Sequence, residues 1–140
     1  KDVMCVAEHR GQNAHFKTSY ELGRPMPLLR GATSRAVLSN LTKRNLMSLL
    51  NEELGADADR KGQLTSELAS LRKLGICETR GEVDQDLVGI SAPLRNASLG
   101  ISASVSVIVE ARLLNDDLRP RIYAAVTATG RMIESFMAEV

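Results

Sequence analysis

Between Asp86 and Val109 the chain alternates apolar and small positions with a period of two, the spacing of strands that bury one face. Ile101, Ala103, Val105, Val107 and Val109 alternate with Ser102, Ser104, Ser106 and Ile108. In the preceding arm, Val88, Ile90, Ala92 and Leu94 alternate with Leu87, Gly89, Ser91 and Pro93. A turn of even length around Asn96 to Gly100 brings the two apolar faces together and the two small-residue faces together. An odd turn sets valines beside serines, a register that burial rejects. The segment is therefore read as a hairpin with one core face and one shallow, hydroxylic face. That second face suits the floor of a small-molecule pocket; the alternative is the solvated face of an edge hairpin.

Elsewhere the pattern predicts a mixture of strands and helices. Val3 to Ala7 is nearly continuous in apolar residues and reads as a strand buried on both faces. Gly11-Gln12-Asn13 supplies a turn, Phe16 to Tyr20 reads as a second strand, and Gly23 to Pro27 breaks regular structure. Ala32, Ala36, Val37 and Leu41 fall at helical spacing, and Thr42 is placed to cap a second helix through Leu50 with Leu46, Leu49 and Leu50 inward. Asn51 to Gly62 is polar and is read as a loop. Leu64, Leu68 and Leu71 stripe a third helix that Gly75 ends. Asn115-Asp116-Asp117 caps a long last helix with Pro120 in its first turn, and Leu118, Ile122, Ala125, Val126, Thr129, Ile133, Phe136, Met137 and Val140 trace one face. Gly130 inside it costs about 1 kcal/mol relative to alanine, so close packing is expected there. This order predicts an α+β domain, an antiparallel sheet flanked by helices.

The 140 residues suit one domain, 1–140, with a sizeable core. Eighteen basic residues against 17 acidic ones leave a net charge of +1, without the electrostatic footprint of a nucleic-acid-binding domain. Cys5 and Cys77 have no CxxC spacing, which fits a reducing, cytoplasmic setting. No apolar run approaches the roughly 20 residues of a membrane span. His9 and His15 stand alone, so no metal site is expected. Nucleophile elbow, HExxH and phosphate-cradling loop are all missing; Gly31-Ala32-Thr33-Ser34 lacks the P-loop lysine. Cys77 beside Glu78 has no helper base in sequence. Neither enzymatic activity nor a cofactor is expected.

Three segments carry a resemblance: RPMPLLRGATSRAVLSNL from Arg24, ELASLRKLGICETRGEVDQDLVGISAPL from Glu67, and RPRIYAAVTATGRMIESFMAEV from Arg119. In this order and spacing the chain resembles the effector-binding domain of the IclR family of bacterial transcription regulators. The resemblance implies a GAF- and PAS-like sensor fold and an upstream winged helix-turn-helix, with the first helix or strand of the domain also upstream. It places an effector pocket between the sheet and the loop and short helix after the Pro-Leu pair. The matching positions are Met26, Ala32 and Thr33, with Ser34 beside them, and Leu87, Gly89, Ser106 and Ile108 in the hairpin. Arg80 could meet an effector carboxylate with paired donors; an ordinary solvated arginine is the alternative. Many members carry serine where this chain has Ile108, and cysteine or another small residue where it has Gly89, so this pocket is expected to be less polar at one point and roomier at another. The implied effector is a small organic or aromatic acid or a related metabolite. The implied assembly is a homodimer or homotetramer that touches DNA only through the upstream domain. A stand-alone GAF-like interaction module is the competing reading, and a small hydrolase or isomerase ranks last.

Overall fold

The structure, a computed structural model, describes all 140 residues. Its centre is a three-stranded antiparallel sheet of β3 (Cys77–Arg80), β4 (Leu87–Asn96) and β5 (Ile101–Glu110), in that order. Asn96 pairs with Ile101 across the four residues Ala97 to Gly100, an even turn closed by Gly100 at φ +65°. Val88 then faces Val109, Ile90 faces Val107 and Ala92 faces Val105, while Ser91 faces Ser106 and Gly89 faces Ile108. The two faces of the hairpin are thus sorted as the alternation requires. β3 begins opposite Ser91, so Pro93 sits where β4 has a single neighbour, a setting in which proline is tolerated.

Each face takes a helix. The valine face packs on α4 (Leu118–Ala138), burying Val88, Ile90 and Ala92 with Leu114 and Val126. A Cβ at Gly130 would lie 3.5 Å from Ala92 Cβ and 3.6 Å from Leu94 Cδ2, ordinary contact distances, so the packing of helix on sheet does not itself require the glycine. Ala125, Phe136 and Val140, expected on the inner face, are exposed; Tyr123, half-buried with its hydroxyl on Glu78, stands inward instead. The serine face packs on α1 (Gly31–Ser39), so it is not the solvated surface of an edge hairpin. Ser102 Oγ donates to Val37 O and Ser104 Oγ to Thr33 O, and small side chains let the helix backbone come that near. Outside α1, α2 (Lys43–Leu54) and α3 (Ala58–Leu74) bury a leucine cluster of Leu38, Leu46, Leu49, Leu50, Leu64, Leu68 and Leu71.

Four expectations are corrected. The first strand is only β1 (Asp2–Met4), and Met4 and Val6 are exposed. Its partner is β2 (Pro25–Pro27), inside the segment read as a breaker; the two prolines lack ladder donors, which keeps this two-stranded sheet short. Phe16 to Tyr20 is not a strand, because Asp84 accepts from Ser19 N and Thr18 Oγ1 accepts from Tyr20 N, removing the donors a ladder needs. Asn51 to Gly62 is largely helical: α2 runs on to Leu54, Gly55 at φ +54° ends it, and Asp57 caps α3 by accepting from Arg60 N. Part of the polarity of that stretch came from glutamate, arginine and lysine, which favour exposed helix.

Candidate functional site

A cleft opens where the N-terminus of α1 meets the serine face of the hairpin. Its floor is Leu87, Gly89 and Ile108, its side Ala32 and Thr33, with Thr79 at the end of β3. The loop between β3 and β4 roofs it with Glu82, Val83 and Asp84, and Tyr20 closes the mouth. The unfilled space at its centre is about 20 Å3, enough for one water and too little for an organic acid.

The roof is held by charge. Glu82 Oε2 accepts from Gly31 N at 3.0 Å and from the Arg35 guanidinium, and Arg35 Nε donates to Glu67 at 2.8 Å. Burial raises the Glu82 carboxyl, but Arg35 and Gly31 N–H outweigh it and leave it below the usual glutamate value. For Arg35, burial lowers the guanidinium while its bonds to Glu82 and Glu67 more than restore it. Asp84 accepts from Ser19 N at 2.9 Å and Ser19 Oγ at 2.5 Å, fixing the Tyr20 segment against the loop. Burial pushes the Tyr20 phenol up and the charges of Asp84 and Glu82 add to this, with the hydroxyls of Thr33 and Ser34 acting in the opposite sense. Gly31 at φ +85° is required twice, by its backbone and by Val83 and Tyr20 lying over it.

Of the residues singled out in the sequence, Ala32, Thr33, Leu87, Gly89 and Ile108 are brought together around this cleft. Ser106 lies deeper, its Oγ 2.8 Å from Thr33 Oγ1 and 2.7 Å from Ser91 Oγ, in a hydroxyl chain that stitches α1 to the sheet. Ser34 is fully buried and donates to Pro27 O. Met26 pairs with Val3 in the small sheet, and Arg80 is exposed at the end of β3; neither lines the cleft. Tyr20, Gly31, Thr79, Glu82, Val83 and Asp84 were not foreseen. The acidic turn Gly81 to Asp86 was their available signal, since acids concentrated in one connection have to find donors. Cys77 packs beneath, its Sγ 3.4 Å from Ala32 O, and burial pushes its thiol up to about 12, which keeps it protonated.

No group of histidine, cysteine or acidic residues is arranged to hold a metal ion, and no helix is long and apolar enough to cross a membrane. A search of curated proteins finds no match. Among solved structures, the C-terminal domain of a protein from Vibrio cholerae, described as a transcriptional regulator, is 26% identical with a TM-score of 0.77, over 91% of this chain and 76% of that one. An IclR transcriptional regulator from Alicyclobacillus acidocaldarius is 17% identical with a TM-score of 0.75, over 92% of this chain; the match spans 52%, about half, of that longer protein. The inducer-binding domain of PobR from Acinetobacter, solved as a double mutant with 3-hydroxybenzoic acid, is 15% identical with a TM-score of 0.70, over 88% and 74% of the two chains. The last two likenesses concern the fold. The family model of the bacterial transcriptional regulator IclR C-terminal domain matches residues 1–135, and the chain belongs to that family.

Proposed function

We propose that this domain senses a small molecule for a transcription regulator, taking its effector into the cleft at the start of α1. The carrying observation is the convergence of Ala32, Thr33, Leu87, Gly89 and Ile108 on one concave site in a domain of this family. The effector is a small organic or aromatic acid or a related metabolite; an inducer-binding domain of the same fold is known with 3-hydroxybenzoic acid bound. Its carboxylate is oriented by main-chain N–H groups near Ala32 and Thr33, and its apolar body lies on Leu87, Gly89 and Ile108. Because the cleft is closed, uptake selects a conformation in which Val83 and Tyr20 have moved aside, and the ligand shifts the population by its preference for that state. In the cytoplasmic regulator, paired or tetrameric sensing domains pass this shift to winged helix-turn-helix domains N-terminal to Lys1. Calorimetry with a panel of small aromatic and keto acids tests the reading. At least one acid should bind the chain and lose its affinity in Gly89→Ala, whose added methyl enters the cleft. Acids that bind both forms equally, or none that binds at all, would reject it.

A further inference from the structure

At the opposite end of α1 from the effector cleft lies a second, open groove of about 280 Å3. Ser39, Asn40, Leu41 and Thr42, Arg72 of α3, and Pro93 and Arg95 of β4 line it, and no carboxylate does. Both guanidinium groups lack an acidic partner within 4 Å, unlike those of Arg10, Arg24, Arg35, Arg112 and Arg119. Arg72 Nε donates to Ser39 O at 2.9 Å, which positions its head while leaving the two terminal nitrogens free. Glu134 accepts from the main-chain N–H of Arg95 at 2.9 Å and lies outside the lining. Lys43 and Arg44 follow Thr42 directly, so the surroundings add positive charge to a molecule whose net charge is only +1.

We infer that this groove binds a small phosphate-bearing anion, at a site separate from the effector cleft. Two arginines lining one polar recess without an acidic partner supply the planar, multidentate donors that guanidinium groups offer phosphate oxygens. The volume sits near the lower end of ligand sites, which limits the guest to a phosphate or diphosphate on a small carrier. Two guanidinium groups without acidic partners on one recess cost self-repulsion, and a dianion relieves it.

The test is calorimetric titration of the 140-residue chain with inorganic pyrophosphate at fixed ionic strength, alongside Arg95→Gln, Arg72→Gln and a control, Arg121→Gln, on the exposed side of α4. Circular dichroism verifies that each variant is folded; Arg95 makes no side-chain bond in the fold, so its variant keeps the test interpretable if Arg72→Gln unfolds. Saturable one-to-one binding is expected, weakened about tenfold in either groove variant and unchanged in Arg121→Gln. An absence of saturable binding, equal binding by Arg95→Gln and the parent, or uptake of duplex DNA without pyrophosphate would overturn the inference.

Discussion

Gly31→Ala is expected to destabilise the domain by about 2–5 kcal/mol, from two sources that can be separated. Gly31 has φ +85°, where an L side chain costs about 1–2 kcal/mol. Its Cβ would also lie 2.7 Å from Val83 Cγ2 and 2.8 Å from Tyr20 Oη, an overlap costing about 1–3 kcal/mol once neighbours shift. Urea unfolding followed by circular dichroism gives the sum, provided the m-value is unchanged. Val83→Ala in the Gly31→Ala background separates the terms: it removes one overlapping atom, so it should return part of the packing loss and none of the backbone loss. A loss under about 0.5 kcal/mol, the usual range of a surface substitution, would refute the reasoning, as would complete recovery in the double variant.

Three other substitutions probe neighbouring claims. Gly89→Val should lower stability by about 1–3 kcal/mol despite the strand preference of valine, because even a Cβ there lies 3.4 Å from Ala32 Cβ and Ile108 Cδ1; a melt at or above the parent's would contradict this. Gly130→Ala should raise stability by about 0.5–1 kcal/mol, since its Cβ meets Ala92, Leu94 and Val105 at ordinary contact distances of 3.5–3.7 Å and the helix gains propensity; a loss in urea melts would show that the approach is tighter. Glu82 has a lowered folded pKa, so its stabilisation is present above the ordinary value of 4.5 and is lost as pH falls through the folded value. Glu82→Gln should therefore melt lower than the parent near pH 7, with the gap closing in acid; parallel melting curves across that range would contradict the role given to its carboxylate.

Strand parity made the hairpin legible: with Val105 against α4 and Ser106 against α1, one even turn settled both faces. Local signals were equally direct at Thr42 and Gly75, whose chemistry as helix start and stop depends on nearby backbone alone. The segment around Ser19 and Tyr20 was illegible because its conformation is fixed by Asp84, 65 residues away. The same distance effect divides the site. Gly89 and Ile108 follow from period and register, whereas Glu82 enters the cleft only because Gly31 N–H and Arg35, on a different element, receive its carboxylate. Ser106 illustrates the limit of face assignment: its side was readable, but its hydrogen bonds with the Thr33 and Ser91 hydroxyls were not.

A crystal structure of the chain with a small aromatic acid, chosen from the calorimetric panel as a binder, tests effector recognition most directly. The account predicts the ring on Leu87, Gly89 and Ile108, the carboxylate at the main-chain N–H groups of Ala32 and Thr33, and Val83 and Tyr20 displaced from the cleft. A ligand seated elsewhere, with Val83 and Tyr20 still closed over Gly31, would contradict it.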